Sequence, residues 1–126
     1  MTMRILGAVA IGIVLVAARP APAGPGDGTL YALVTVDFAF RPARITANPG
    51  DVLRFVQQGD MPHNVEFREV PDGVDLGDAR MGPFLVQKGQ TYELKIDERF
   101  KPGTYRIVCT PHEGMGMSGV LVVLPS

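Results

Sequence analysis

Residues Thr104–Leu124 read TYRIVCTPHEGMGMSGVLVVL, with two apolar runs on either side of a short polar segment. The runs Thr104–Cys109 and Gly119–Leu124 are typical of strands, because β-branched and aromatic side chains are enriched in strands. The segment between them contains a proline and two glycines, which favour a loop over a helix. We therefore predict two strands joined by a short loop.

The same pattern continues upstream and predicts an all-β chain. Residues 48–51, NPGD, form a strong turn signal, and residues 70–82 are predicted to be a loop with one helical turn. Within Leu30–Phe40 the apolar residues at even positions are expected to share one face, with Thr35 and Asp37 on the other. The expected fold is an antiparallel Greek-key β-sandwich of seven or eight strands. The remaining predicted strands are Arg44–Ala47, Val52–Val56, Asn64–Phe67, Phe84–Val86 and Thr91–Ile96.

Composition limits the function classes. The 126 residues suit one domain, and the formal net charge of −1 argues against a nucleic-acid-binding protein. The single cysteine, Cys109, excludes an intrachain disulfide and zinc sites that need two or four cysteines. The only histidines are His63 and His112, so a three-histidine metal centre is excluded.

The first 23 residues are predicted to be a cleaved signal peptide. Arg4 precedes the uncharged apolar run Ile5–Ala18, and residues 21–23, APA, resemble a cleavage site. The apolar run is shorter than the ~20 residues that a membrane-spanning helix needs. We therefore expect an exported domain over residues 24–126 that is not inserted in a membrane.

The candidate metal ligands are concentrated in the loop between the last two strands. Cys109, His112 and Met117 lie within nine residues, and His63 lies 46 residues before the cysteine. Thiolate, imidazole and thioether groups favour copper over calcium or magnesium. Met115 competes with Met117 for the thioether role, and the longer spacing from His112 favours Met117.

These residues resemble the cupredoxins, the small blue copper proteins. The resemblance rests on residues 62–65, PHNV, and on the pattern Cys-x-x-His-x-x-x-x-Met that begins at Cys109. Residues 109–117 are most similar to pseudoazurin, whereas residues 103–105, GTY, are also similar to plastocyanin. The resemblance covers residues 35–124. It implies a cupredoxin fold with one copper ion per chain, Cu(I) or Cu(II), at one end of the sandwich.

The resemblance also implies roles for individual residues. His63, Cys109 and His112 would be the strong copper ligands, and Met117 would be the weak axial ligand. The backbone N–H of Asn64 would donate to the cysteine sulfur, and its side chain would bind the ligand loop near Thr110.

The sequence departs from plant-type plastocyanin immediately before the cysteine. That position is Val108 rather than tyrosine, and no run of acidic residues is present. A photosynthetic partner is therefore not favoured, and we expect the periplasm rather than the thylakoid lumen.

The resemblance implies a monomeric one-electron carrier that shuttles electrons between larger redox proteins. We expect partners such as c-type cytochromes or copper reductases to dock on an apolar patch around His112, with Glu113 at its rim. The alternative is a copper-handling protein that serves copper tolerance or delivery. An enzyme is not expected, because a site with two histidines, a cysteine and a methionine leaves no open position for substrate.

Overall fold

The computed structural model describes residues 28–126, so the predicted signal peptide over residues 1–23 lies outside the described residues. Within the described part of the chain, no helix is long and apolar enough to cross a membrane. The predicted helical turn in the loop over residues 70–82 is present as a 3₁₀ helix over Gly77–Arg80.

Eight strands in residues 28–126 form two four-stranded sheets, which confirms the predicted β-sandwich. The first sheet has the order β2-β1-β4-β6, and the second has the order β3-β8-β7-β5. The strands are β1 (Leu30–Val36), β2 (Ala39–Arg41), β3 (Arg44–Ala47), β4 (Val52–Gln57), β5 (Glu66–Glu69), β6 (Thr91–Lys95), β7 (Gly103–Val108) and β8 (Ser118–Val123).

The sheets are mixed, so the prediction of a purely antiparallel sandwich is wrong. Strand β1 pairs in parallel with β4, and β3 pairs in parallel with β8. The chain crosses between the sheets at every connection from β2 to β7, and such crossings bring some neighbouring strands together in the same direction. Only the β1–β2 and β7–β8 connections stay within one sheet of the described domain.

The core lies between the two sheets and contains a cluster of three aromatic rings. The rings of Phe67 and Phe100 lie 5.4 Å apart, and those of Phe67 and Tyr105 lie 5.9 Å apart, in edge-to-face arrangements. The hydroxyl of the buried Tyr105 donates to the carbonyl of Lys101 at 2.6 Å. Cys109 and Met117 belong to the same buried core, so the candidate ligands lie on a rigid, closely packed support.

The predicted strand Leu30–Phe40 is two strands, and the predicted phase of its side chains is wrong. The chain turns at residues 37–38, between β1 and β2. The inner face of β1 carries Leu33 and Thr35, both of which are buried. Thr35 can be buried without an unsatisfied hydroxyl because this group donates to Oε1 of the buried Gln57 at 3.0 Å. Apolar residues lie on both faces of this segment, so the predicted orientation depends on Thr35 and Asp37 alone.

One further predicted strand is displaced along the chain, and another is shortened. Strand β5 begins at Glu66 rather than Asn64, because the side chain of Asn64 bonds to the loop after β7. The predicted strand Phe84–Val86 is reduced to one bridge, in which Leu85 and His63 exchange backbone hydrogen bonds of 2.7 and 3.0 Å. In both segments, residues next to the candidate metal site form hydrogen bonds with the ligand-bearing loops instead of a continuous strand ladder.

Candidate metal centre

Four segments meet at one end of the sandwich and bring the predicted ligands together. His63 lies between β4 and β5 and is fixed by its bridge to Leu85. Cys109 directly follows β7, and Met117 directly precedes β8. The backbone N–H of Cys109 donates to the carbonyl of Met117 at 3.1 Å, which closes the loop at its base.

A 3₁₀ helix over Thr110–Met115 carries His112. Pro111 is compatible with its first turn because proline lacks an N–H that would need a partner there. The helix ends at Gly116, whose φ of 81° lies in the left-handed region that glycine adopts without strain. The backbone N–H of His112 donates to the carbonyl of Cys109 at 3.0 Å, so the histidine is held one turn beyond the cysteine.

The donor atoms of three predicted ligands converge. Sγ of Cys109 lies 3.6 Å from Nδ1 of His63 and 3.4 Å from Nδ1 of His112. The two Nδ1 atoms lie 3.2 Å apart, and the imidazole planes are inclined at 67°. His63 and Cys109 are fully buried, and His112 is only 4% exposed. The three residues therefore form one compact, almost dry donor set.

The chemistry of this donor set suits a copper ion. Burial raises the pKa of the Cys109 thiol, whereas hydrogen bonds from the backbone N–H groups of Asn64 and His112 lower it. A thiolate in such a buried position requires a nearby positive charge, which a bound metal ion supplies. One thiolate and two imidazoles in a trigonal arrangement are the ligands of electron-transfer copper sites.

Comparisons with known proteins agree with this geometry. The family model for copper-binding proteins of the plastocyanin/azurin family matches residues 31–124. The chain belongs to this family.

Both plastocyanins and pseudoazurins are among the similar proteins. Plastocyanin from Ginkgo biloba is 42% identical over 91 residues, which cover 69% of this chain and 89% of the relative. The oxidised plastocyanin from Dryopteris crassirhizoma superposes with a TM-score of 0.62 and 28% identity, covering 74% of this chain and 99% of the fern protein. Pseudoazurin from Methylobacterium extorquens AM1 superposes with a TM-score of 0.56 and 30% identity, covering 77% of this chain and 76% of the other. The predicted cupredoxin family and fold are thereby confirmed, and this chain is a copper-binding cupredoxin.

The two methionines of this cupredoxin's ligand loop have different environments. Met117 is fully buried in the core beside Cys109, whereas Met115 is 61% exposed on the outer side of the 3₁₀ helix. The donor set itself is buried, so a thioether that completes it must also be buried. The burial of the two side chains therefore favours Met117 over Met115, as the spacing in the sequence does.

The site is supported by a tie between its two ligand-bearing segments. The Asn64 amide donates to Oγ1 of Thr110 at 2.9 Å and accepts from the Thr110 N–H at 2.8 Å. The Thr110 hydroxyl in turn donates to Oε2 of the buried Glu66 at 2.8 Å. This tie is the one that the resemblance to cupredoxins implied, and Glu66 is an addition that the sequence did not indicate.

The negative charge of Glu113 is neutralised by two neighbouring arginines. Its Oε2 accepts from Nη1 of Arg106 at 3.0 Å and from Nε of Arg68 at 3.2 Å. The Arg106 hydrogen bond is the main reason that the pKa of Glu113 is below its usual value, with Arg68 acting in the same direction. The expected negative rim beside His112 is therefore a neutralised cluster, because strands β5 and β7 place two arginines against the carboxylate.

Phe38 and Asp37 are residues of the site that the sequence analysis missed. The Phe38 ring packs edge-on against the His112 ring, with centroids 4.8 Å apart. Oδ1 of Asp37 accepts from Nε2 of His63 at 2.7 Å. The sequence analysis had placed both residues within a continuous strand, and only the turn between β1 and β2 brings them to the ligands.

Proposed function

We propose that this protein is a one-electron carrier that holds one copper ion through His63, Cys109 and His112, with Met117 as a weak axial ligand. The observation that carries the proposal is the convergence of three buried donors, one thiol and two imidazoles, within 4.8 Å of one another. Bound copper supplies a centre that alternates between Cu(I) and Cu(II). The relatives named above are plastocyanins and a pseudoazurin, and they support the same reading.

The protein's own residues contribute rigidity and exclusion of water. Cys109 and Met117 are held between two strands of one sheet, and His63 is held by its bridge to the loop at Leu85. Rigidly held ligands favour electron transfer, because the ligands then rearrange little when the copper ion is oxidised or reduced. Four ligating side chains would fill the positions around a single metal ion and would leave no place for substrate, so we propose no enzymatic activity.

Electrons leave and enter through the surface next to His112. This ligand retains some exposure, and exposed apolar side chains surround its end of the sandwich, including Phe38 at 36%, Met61 at 42% and Met115 at 61%. An apolar patch on a protein surface commonly marks a contact site. Redox partners such as c-type cytochromes or copper reductases dock here through a small interface that releases quickly.

We further propose that the protein acts in the periplasm as a monomer, after removal of residues 1–23. The charge and apolar pattern of that segment supports export. The alternative role in copper tolerance or delivery receives no support from the plastocyanin relatives. An electron carrier must retain its metal through repeated oxidation and reduction, whereas a delivery protein must release it.

The test is to load purified residues 24–126 with copper and to compare them with Cys109→Ser. The wild type should bind one copper ion and show an intense visible band when oxidised, because a thiolate donates charge to Cu(II). The serine variant should lose the band, and Met115→Leu, a matched change in the same loop, should keep it. A colourless oxidised wild type, or a band that survives in Cys109→Ser, would contradict the proposed ligands.

Partner exchange separates the carrier from the copper-handling alternative. Stopped-flow mixing with reduced c-type cytochromes should oxidise the cytochrome at a rate proportional to the concentration of the copper-loaded protein. Copper content should be the same before and after many cycles. Transfer of copper to an acceptor protein without electron exchange would instead favour copper handling.

A further inference from the structure

The carboxylate of Asp37 is hydrogen-bonded to the imidazole of His63, the more deeply buried of the two histidines of the site. Oδ1 of Asp37 accepts from Nε2 of His63 at 2.7 Å. The His63 side chain is fully buried, whereas the Asp37 side chain is 25% exposed. Asp37 therefore connects the inner side of the donor set to the turn between β1 and β2.

Two other hydrogen bonds hold the Asp37 carboxylate in place. The backbone N–H of Asp60 donates to Oδ2 at 2.9 Å, and that of Met61 donates to Oδ1 at 3.2 Å. Both donors lie in the loop that leads to His63. The loop that carries the histidine therefore also orients the carboxylate that the histidine contacts.

The contact fixes which nitrogen of His63 carries the proton. An ionised carboxylate can only accept hydrogen bonds, so Nε2 must be the protonated nitrogen. Nδ1 is then left with a free lone pair, and it is Nδ1 that lies 3.6 Å from Sγ of Cys109 and 3.2 Å from Nδ1 of His112. The lone pair is thus directed to the place where the donor atoms converge.

Gly59 is matched to this contact. A side chain at position 59 would collide with the Asp37 carboxylate, and its Cβ would lie 2.6 Å from Nε2 of His63. The backbone N–H of Gly59 donates to the carbonyl of Thr35 at 3.1 Å and to Oε1 of Gln57 at 3.1 Å, so the glycine cannot easily move away. The chain therefore needs a residue without a side chain next to the Asp37–His63 hydrogen bond.

We infer that Asp37 is a positioning residue that fixes the tautomer of His63 and favours the oxidised over the reduced state of the site. The inference rests on the proposed function, since it concerns the metal that His63 would bind. A hydrogen bond to a carboxylate raises the basicity of a ligating imidazole. The negative charge of Asp37 also stabilises the more positive of two oxidation states. Both effects lower the reduction potential.

The variant Asp37→Asn tests the charge, because it keeps the shape and an oxygen that can accept from His63. We expect Cu(II) affinity to fall by about 10-fold or more, in the range found for residues that orient metal ligands. Cu(I) affinity should fall less. Each tenfold difference between the two losses corresponds to a rise of about 59 mV in reduction potential for a one-electron couple.

Asp60→Asn is the matched control. Asp60 is a neighbouring carboxylate with 81% of its side chain exposed, and it pairs with Lys88 at 2.8 Å instead of with a ligand. Its charge is therefore screened by water, and the control should keep the wild-type potential and affinities. Equal potentials in Asp37→Asn and Asp60→Asn would overturn the inference.

The tautomer is measured without metal and without a variant. In metal-free wild type, at a pH well above the usual imidazole pKa of about 6.5, ¹⁵N NMR should show the His63 proton on Nε2. A proton on Nδ1 would overturn the inference even if copper binds as proposed. Conversely, a metal-free protein with the Nε2 tautomer that fails to form the coloured copper site would contradict the proposed function and leave the positioning by Asp37 supported.

Discussion

Asn64 and Thr110 hold each other through two hydrogen bonds, of 2.9 Å from the Asn64 amide to the Thr110 hydroxyl and of 2.8 Å from the Thr110 N–H to the Asn64 carbonyl oxygen. Each residue is the direct neighbour of a ligand, His63 on one side and Cys109 on the other. The spacing of the two ligand segments is therefore set by this side-chain tie together with the β5–β7 ladder, in which Glu66 pairs with Val108.

Asn64→Ala should destabilise the metal-free protein by about 2 kcal/mol, because the Thr110 N–H loses its partner and buried polar groups without partners cost about 1–3 kcal/mol. For a domain of this size, the loss corresponds to a fall in Tm of roughly 8–16 °C. Thermal unfolding by circular dichroism measures it. Thr46→Ala, an exposed threonine on β3, is the control and should change Tm little. A Tm equal to that of the control would show that the tie does not stabilise the fold.

Met117→Leu and Met115→Leu should behave differently. Replacing the buried Met117 keeps the volume of the core, so the fold should survive with a loss under about 1.5 kcal/mol. Copper should remain bound, while the visible spectrum and the reduction potential shift, because a weak axial ligand tunes the site. Replacing the exposed Met115 should alter neither. A larger spectral change in Met115→Leu than in Met117→Leu would show that Met115, and not Met117, is the axial ligand.

The ligand set could be predicted from the sequence because the chain contains so few candidates. One cysteine and two histidines leave a single combination, and their spacing places them in a loop between strands. The surrounding partners could not be predicted in the same way. Asp37 reaches His63 across 26 positions of sequence, and that contact depends on the turn after β1, which strand periodicity does not encode.

For the fold, too, features set by neighbouring residues could be predicted from the sequence, whereas features set by distant residues could not. The alternation in Val52–Val56 correctly marks a strand, which the structure extends by one residue to Gln57, and turn residues correctly mark its start. In β1, by contrast, the inward Thr35 could be assigned only with knowledge of Gln57, which accepts its hydrogen bond from the neighbouring strand. Parallel pairing of β1 with β4 likewise depends on crossings between sheets rather than on any local signal.

Arg99 should stabilise the fold more at neutral pH than in acid. Its guanidinium donates to Asp97 at 2.9 Å and to Asp78 at 2.7 Å, and these hydrogen bonds hold the pKa values of both carboxyls below their usual value of 3.8. A lowered folded pKa means that the stabilisation is present above pH 3.8 and is lost as the pH falls through the lower folded values.

Arg99→Met tests this pH dependence. The variant should have a lower Tm than wild type at pH 7, and the difference should shrink progressively once the pH drops below the usual carboxyl pKa of 3.8. Arg44→Met, at an exposed position on β3, removes a similar charge and should show no such convergence. A constant difference at all pH values would mean that the arginine acts through packing or through its hydrogen bond to the Leu76 carbonyl, and not through the two carboxylates.

The apolar surface beside His112 should control electron exchange with the redox partner. Met115 is 61% exposed on the ligand loop, so Met115→Lys should place a charge in the interface and slow exchange several-fold, while the optical spectrum of the copper site stays unchanged. Leu124→Lys is the matched control: Leu124 is 38% exposed and follows β8, whose six residues carry the chain roughly 20 Å away from the site. Stopped-flow kinetics with a c-type cytochrome should therefore be slower only for the Met115 variant. Equal slowing by both lysines would point to an effect of overall charge, and no slowing by either would place the route of the electron elsewhere on the surface.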